Sequence, residues 1–409
     1  MNFGREIEDV VENLCKKSFF ADFTIRNPKY RKLNGEEKEA ADLLVVFNNT
    51  LLAIQIKSKQ IDSSSQPCRI ELARVSKSVD KAIHQFRALT EALNSPQFKS
   101  FRNARGVEIA FEKNQVTEVI LVVVFVPIWS EKSKPVQIRF DTTCYPEGPI
   151  PIHLFTLRQF SLLLLLLDTL PDFIFYLTAR WMLHGEKLIP PGSDPADEWA
   201  LTTFERKRLI EICEKKIFTD VTDLNKRHQP SLAGLERREK PSYFIDQLIE
   251  QLYAAIGSGE AVDKRFNLLA EPNSLKAYQM TIPYLAKLNR KDRGQMVEFL
   301  VNRVKQCQEQ EIAFRGFIFS EESDEAYLVL AAKFEREERR IALANVAMGM
   351  GHKLKAKTVI GIAVSNDWPD LPTCDVAVVD VSKLKPSAEL IEMTEMAFNK
   401  RPYSRLRRS

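Results

Sequence analysis

The sequence has few features of a membrane, secreted or zinc-binding protein. Its six cysteines are widely scattered and form no CxxC pair, which argues against a zinc site and favours reduced thiols in the cytoplasm. Residues 1–14 carry charges throughout, so we expect no signal peptide. The longest leucine run, Leu162–Leu167, is far shorter than the ~20 apolar residues that span a bilayer. We therefore expect a cytoplasmic protein with no membrane partner, in which this run forms a buried helix.

A strong net charge and a Gly-rich phosphate loop are also lacking. The 59 Lys and Arg residues exceed the 55 Asp and Glu residues by only 4, so the overall charge does not establish a polyanionic partner. No glycine pattern supports nucleotide binding. What is present is ordinary globular content, with 44% hydrophobic and 28% charged residues. A chain of 409 residues has room for roughly two to three domains.

The most informative stretch contains two apolar runs, Leu43–Phe47 and Leu51–Ile56, on either side of Asn48 and Asn49. Asparagine tolerates the positive φ values that a two-residue turn requires, so this pattern predicts a β-hairpin. A three-residue loop would shift the register of the two strands by one residue. The loop length therefore decides which side chains face each other.

With a two-residue turn, Asp42 lies directly opposite Gln55, and Lys57 projects from the same face of the sheet. Opposed residues have Cβ atoms about 5 Å apart. A carboxylate, an amide oxygen and an ammonium group would then converge at one end of an apolar hairpin. An ordinary surface ion pair, worth under about 1 kcal/mol, is the alternative that the hairpin alone leaves open.

The N-terminal segment predicts an amphipathic helix. Ile7, Val10, Val11 and Leu14 follow helical spacing and define its expected buried stripe. Glu8 lies at the edge of that stripe, about 100° from Ile7 at 3.6 residues per turn. This carboxylate can therefore reach a site at the end of the hairpin without being buried alone.

Together these residues carry a resemblance to a known family. The pattern Gly4-x-x-x-Glu8, then Asp42, then Gln55-x-Lys57 resembles the PD-(D/E)xK nuclease superfamily, in the QxK form of Mrr-type restriction endonucleases. The resemblance covers about the N-terminal third of the chain. It implies a restriction-endonuclease-like α/β fold, with a mixed central sheet flanked by helices.

The resemblance also implies a Mg²⁺-dependent (or Mn²⁺-dependent) deoxyribonuclease. Glu8, Asp42, Gln55 and Lys57 would be the catalytic residues. Metal ligands would be Asp42, the Gln55 side-chain oxygen, the Ile56 carbonyl and Glu8, the last directly or through water, which suits the preference of magnesium for hard oxygen ligands. Lys57 would orient the nucleophile or stabilise the transition state. Repulsion between Asp42 and Glu8 in the absence of a cation is a further reason to expect a metal.

The segment after the hairpin is the most basic one near it. From Lys57 to Arg105 the sequence has ten Lys or Arg and four Asp or Glu residues, and helical spacing is evident over Arg74–Leu93. Phosphate-contacting groups are expected in this segment, and the candidates for binding nucleic acid are Lys59, Arg74, Lys77, Lys81 and Gln85. A solvated basic helix face is the alternative.

The remaining sequence predicts three regions. Residues 1–187 form the nuclease-like domain, including a doubly buried strand within Val116–Trp129. Residues 188–257 form a charged helical connector, and residues 258–409 form a second α/β domain. The second domain repeats the order of helix, hairpin, helix and strand, so a degenerate copy of the first domain and an unrelated module for assembly or recognition both stay open. Its hairpin ends Ala331-Ala332-Lys333 and lacks the glutamine and the opposing acid.

The expected function is hydrolysis of DNA phosphodiester bonds, in host defence or DNA processing. A homodimer or higher homo-oligomer is compatible with this function, because one such site cuts one strand. Two alternatives remain open from the sequence. One is a catalytically inactive nucleic-acid-binding or scaffolding protein with the same fold, and the other is a signalling effector with a ligand-sensing C-terminal domain.

Overall fold

A computed structural model shows two compact units, Met1–Leu232 and Ala233–Ser409. The segment 188–257, predicted as a connector, is divided between them. The structure describes residues 3–19, 23–31, 36–39, 41–61, 77, 80–86, 89, 100–102, 108–110, 116–129, 144–145, 151–258, 266, 268, 271–319, 323–367, 373–383, 386–387 and 390.

The first unit alternates helices and strands. Its strands are β1 (Thr24–Arg26), β2 (Lys29–Arg31), β3 (Glu37–Glu39), β4 (Leu43–Phe47), β5 (Thr50–Ile61), β6 (Ser100–Arg102), β7 (Glu108–Ala110), β8 (Glu118–Trp129), β9 (Cys144–Tyr145) and β10 (Ile152–Thr156). Its helices are α1 (Phe3–Phe19), α2 (which includes residues 80–86), α3 (Leu157–Leu166), α4 (Leu170–Gly185), α5 (Pro195–Phe204) and α6 (Arg206–Lys215), and α7 (Leu224–Glu239) begins in it.

The central sheet of the first unit is mixed, with strand order β1-β4-β5-β8-β10-β9. The strands β1, β4 and β5 are antiparallel neighbours, β8 and β10 continue parallel to β5, and β9 is antiparallel to β10. One face packs under α2, whose Ala82 and Phe86 share a core with Ala53 and Val123. The opposite face carries Phe155, which packs against α3. The predicted α/β class with helices flanking a mixed sheet is confirmed.

The hairpin forms with the predicted register. Phe47 pairs with Thr50 and Leu43 with Ile54, and Asn48 takes the positive φ of 52° that the turn requires. The polar stretch Gln60–Pro67 predicts a loop after the hairpin, but β5 extends to Ile61, so the first two of these residues are strand instead. Strand β8, predicted as doubly buried, lies between β5 and β10 in the sheet and buries both faces.

Helix α1 forms as predicted, but its buried face is rotated from the expected stripe. Val10 is 49% exposed, whereas Val11, Cys15 and Phe19 are fully buried. These three residues recur every four positions and pack toward α3 and α4; Phe19, for example, contacts Phe173 with ring centroids 5.1 Å apart. The packing of α3 and α4 determines which face of α1 is buried, and the sequence pattern of α1 does not contain that information.

The leucine run Leu162–Leu167 was predicted to be buried and is only partly so. Within α3, Leu163 and Leu164 are buried, whereas Leu165 is 71% exposed. A helix with leucine at every position presents some of them outward whichever face packs on the sheet. Among the helices of the described ranges, none combines the length and apolar character needed to cross a bilayer.

The second unit has a four-stranded sheet in the order β11-β12-β13-β14. The elements are α8 (Tyr243–Ser258), α9 (Pro272–Ala286), α10 (Arg290–Cys307), β11 (Ile312–Phe317), β12 (Glu325–Ala332), α11 (Arg336–Leu354), β13 (Thr358–Ser365) and β14 (Cys374–Asp380). The sequence also predicts a final helix near Ala388–Phe398; these residues lie outside the described ones except for Leu390, which is helical.

The two units share part of a topology. In both, an antiparallel hairpin is followed by a helix and by a strand parallel to the second hairpin strand. The next strand differs, since β10 runs parallel to β8 whereas β14 runs antiparallel to β13. The second hairpin pairs Ala313 with Ala331, where the first hairpin places Asp42 opposite Gln55. The second unit therefore lacks the acid and the amide of the first site, as predicted.

Candidate active site

Asp42 lies immediately before β4 and is held against the second strand of the hairpin. Its Oδ2 accepts a hydrogen bond from the backbone N–H of Ile56, and the register of the hairpin places it opposite Gln55. Because side chains alternate along a strand, Gln55 and Lys57 share the sheet face that Ala53 occupies, which is the face covered by α2. Gln55 and Lys57 therefore meet at the end of the hairpin, and the charge of Asp42 acts on Lys57.

Lys57 is anchored by two amide oxygens. Its Nζ donates to Gln55 Oε1 at 2.7 Å and to Gln85 Oε1 at 2.9 Å. Gln55 is only 1% exposed, so this ammonium group extends over a buried amide. The charges of Lys57 and Asp42 are close enough to act on each other.

The charge of Glu8, on α1, acts on Asp42 and Lys57, but Glu8 also forms an ion pair with Arg26 on β1. The Arg26 guanidinium lies 3.5 Å from Glu8 Oε2 and 2.8 Å from Glu12 Oε2, and it also pairs with Asp9. The helical spacing of α1 predicts a solvent-exposed Glu12, but this side chain is only 7% exposed because of its contacts with Arg26 and Lys16. Arg26 thus pairs with three carboxylates of α1, of which Glu8 acts on Asp42.

Burial and like charges both act on Asp42. Burial raises the pKa of Asp42 above its ordinary value of 3.8, and the charge of Glu8 raises it further, while Lys57 and the Ile56 N–H act in the opposite direction. Burial lowers the pKa of Lys57 below 10.5 despite the attraction of Asp42, and Lys81 lowers it as well. A divalent cation would relieve the unfavourable charge of Asp42, so the donor set fits such an ion.

Two residues that no sequence motif indicates, Glu39 and Asn27, lie beside Asp42. The carboxylates of Asp42 and Glu8 add to the effect of burial and raise the pKa of Glu39 above 4.5. The backbone N–H of Asn27 donates to the Asp42 carbonyl at 3.0 Å, and its side-chain amide, turned to satisfy its neighbours, reaches the same carbonyl and Glu39. Asn27 has φ of 45°, and an asparagine before Pro28 is the only local signal that could have pointed to it.

The residues predicted to bind nucleic acid differ in their exposure to solvent and in their contacts. Lys77, Lys81 and Gln85 recur every four residues on the helix that follows the hairpin, so they lie along one of its faces. Lys81 is exposed and close enough to affect the pKa of Lys57. Gln85 instead turns its oxygen inward to Lys57, and Lys59 is half-buried on β5. Arg74 lies outside the described residues.

Within the part of the chain that the structure describes, no group of three or more His, Cys, Asp or Glu side chains is placed to hold a metal ion. The donor set inferred from the sequence is of another kind, because Gln55 contributes an amide oxygen and Ile56 a backbone carbonyl. Such oxygens bind magnesium alongside one or two carboxylates. No protein-family model, curated protein or solved structure matches the chain.

Proposed function

We propose that the first unit is a Mg²⁺-dependent or Mn²⁺-dependent nuclease that hydrolyses DNA phosphodiester bonds. The observation that carries this proposal is the contact of Gln55 with Lys57 at the end of the hairpin, beside Asp42, whose charge interacts with those of Lys57 and Glu8. A half-buried acid and amine beside a buried amide are costly to maintain in a purely structural role.

The topology of the first unit supports the restriction-endonuclease-like assignment. A helix leads into an antiparallel three-strand segment, and the strand that carries Gln55 and Lys57 then pairs in parallel with a strand that follows α2. This arrangement suits the fold that the resemblance implies. The match to the QxK pattern concerns the same residues that the structure brings together.

The site residues have distinct roles in this proposal. Asp42, Glu8, the Gln55 side-chain oxygen and the Ile56 carbonyl would hold the cation, which when bound lowers the pKa of a water and neutralises charge on the phosphate. Lys57 places a positive charge beside the attacked phosphate, a role typically worth about 10²–10³ in rate. Lys77 and Lys81 extend the positive surface for the nucleic acid backbone.

The direct test is nicking of supercoiled plasmid by the full chain. We expect cleavage with Mg²⁺ or Mn²⁺ and none with excess chelator, with activity restored when the divalent ion is added back. Calcium serves as the comparison ion. It binds oxygen ligands with a looser geometry than magnesium, so it should support the binding of DNA better than its cleavage. Cleavage that is undiminished by chelator would contradict the metal-dependent mechanism.

The pH dependence of cleavage follows from the shifted pKa values. Asp42 must be deprotonated to bind a cation, so kcat/KM should fall as pH decreases through its raised pKa, above the ordinary value of 3.8. The lowered pKa of Lys57 places an alkaline limb below 10.5. Replacing Glu8 with glutamine removes a charge that raises the pKa of Asp42, so the acidic limb should move to lower pH.

The matched control for this pH profile is Asp9→Asn. Asp9 is also an acid of α1 that pairs with Arg26, so its replacement changes the same helix and the same guanidinium. We expect the acidic limb of this variant to stay at the position of the wild type. An equal shift in the Glu8 and Asp9 variants would mean that the net charge of α1, and not the proximity of Glu8 to Asp42, sets the limb.

A second candidate is a nucleic-acid-binding protein without catalytic activity. The observations that favour it are the hydrogen bond from Lys57 to the Gln55 oxygen and the ion pair of Arg26 with Glu8. Both contacts engage oxygens that the hydrolase would use for its cation. This candidate predicts DNA retention in an electrophoretic shift, with no cleavage in any divalent ion.

A further inference from the structure

The position of Gln85 is not explained by contact with nucleic acid. Its side chain is only partly exposed, and its oxygen accepts a hydrogen bond from Lys57 Nζ at 2.9 Å. The helix that bears it is fixed by Ala82 and Phe86, which are buried in the same core as the sheet face below. Gln85 therefore reaches the site from a rigid support.

The two acceptors of Lys57 differ in their availability. Gln55 Oε1 is one of the oxygens assigned to the cation, and an oxygen that binds a cation is a poorer acceptor for a neighbouring ammonium group. Gln85 comes from the opposite wall of the site, on α2, and has no such second task. If only Gln55 held Lys57, the ammonium group would lose its anchor in the state that reacts.

We propose that Gln85 is a positioning residue that holds the Lys57 ammonium group over the sheet when the Gln55 oxygen is engaged elsewhere. This inference rests on the proposed nuclease function and assigns a role within that site. The Gln85 oxygen fixes one hydrogen of the ammonium group, which leaves the other two free to point to a phosphate oxygen and to the attacking water. Supporting residues of this kind typically change activity by about 10–100-fold.

The first measurement does not depend on cleavage. Metal-free full-length protein carrying Gln55→Met, which removes the other amide acceptor of Lys57, is treated with a limiting amount of acetic anhydride, and acetylation of Lys57 is compared by mass spectrometry with that of the exposed Lys207. Gln85→Met keeps the length of the side chain and removes the acceptor, so we expect acetylation of Lys57 to rise several-fold. Gln85→Glu keeps an acceptor oxygen, so acetylation should stay low. Unchanged acetylation in Gln85→Met would overturn the proposal.

The second measurement separates positioning from substrate binding. We expect Gln85→Met to lower kcat about 10-fold with KM unchanged, and Gln85→Glu to recover most of kcat. His84→Met places the same side chain on the adjacent, exposed position of α2 and should leave both constants at wild-type values. A rise in KM alone would assign Gln85 to substrate contact and overturn the proposal.

The two measurements keep the two hypotheses apart. If no variant cleaves DNA but Lys57 acetylation still rises in Gln85→Met, the nuclease proposal fails while the anchoring of Lys57 stands. If acetylation rises and kcat does not change, the anchor exists but has no role in the reaction, and the inference is wrong. Gln85→Asn, which keeps the amide but withdraws it by one methylene, replaces Gln85→Met if that variant does not fold.

Discussion

Replacing Asp42 with asparagine should reduce cation-dependent cleavage by about 10³-fold, near the upper range for removing one charge-stabilising group. The asparagine oxygen can still accept the hydrogen bond that Ile56 donates to Asp42, so the hairpin keeps its geometry. What disappears is the negative charge of the one carboxylate that lies opposite Gln55. Measured as plasmid nicking over a titration with Mg²⁺, the variant should show a lower kcat at saturation and need a higher concentration of metal for half-maximal activity.

The stability of this variant gives a second readout. Burial opposes the charged form of Asp42 and raises its pKa, while Lys57 attracts it. These two effects oppose each other, so the unfolding free energy of Asp42→Asn at neutral pH should stay within about 1 kcal/mol of the wild type. A site that loses activity without losing stability is typical of groups retained for chemistry.

Asp9→Asn is the matched control for Asp42→Asn. It makes the same chemical change in a carboxylate that pairs with Arg26 on the first helix, and we expect cleavage close to that of the wild type. Equal cleavage by the wild type and Asp42→Asn would exclude the hydrolase. The nucleic-acid-binding alternative would then be the function to test.

The second large effect is expected outside the candidate site, at the buried ion pair of Arg180 and Glu198. Both side chains are 0% exposed, and Arg180 Nε donates to Glu198 Oε2 at 2.5 Å. Glu198 also accepts from Tyr176 and lies 2.8 Å from His184 Nε2, while Arg180 Nη1 is 3.2 Å from His153 Nδ1. This network joins β10, α4 and α5 on the sheet face opposite to α2.

Glu198→Met should destabilise the first unit by about 3–5 kcal/mol, because it leaves the Arg180 charge buried without its counter-ion. The loss of stability should be smaller when the Arg180 charge is removed as well. The double variant Arg180→Met, Glu198→Met is therefore expected to be more stable than Glu198→Met alone. Arg180 attracts the Glu198 charge and lowers the pKa of Glu198 below 4.5 despite its burial. The stabilisation by this carboxylate is therefore present above pH 4.5 and lost as pH falls below it.

Urea denaturation followed by tryptophan fluorescence measures this effect. In a Trp368→Phe background, the remaining tryptophans all belong to the first unit. Glu205→Gln is the control, since Glu205 forms an ion pair with Arg208 near the surface and should cost under about 1 kcal/mol. If the double variant were as unstable as Glu198→Met, lost packing and hydrogen bonds, and not the unpaired charge, would explain the loss.

Much of the candidate site could be predicted from the sequence because it depends on local rules. A two-residue turn at Asn48 and Asn49 determines the pairing of the hairpin, and the two-residue period of a strand then places Gln55 and Lys57 on one face. Asp42 follows from the same register. These are short-range consequences of backbone geometry, so no knowledge of the other elements was needed.

Other parts of the site could not be predicted because they depend on contacts between distant segments. Gln85 was assigned to nucleic acid from the charge of its segment, and only the packing of α2 on the sheet turns its oxygen to Lys57. Arg26 and Asn27 gave no comparable signal, although they order the carboxylates of α1 and the backbone of Asp42. The exposed position of Val10 has the same origin, since α3 and α4 select which face of α1 is buried.

The amino-acid sequence by itself determined the order of the elements, the hairpin register and the set of polar side chains at its end. The tertiary structure alone decided which partners those side chains have and how burial shifts their pKa values. The reason is physical: turn geometry and side-chain alternation act over a few residues, whereas desolvation and hydrogen bonding depend on segments that meet only when the chain folds.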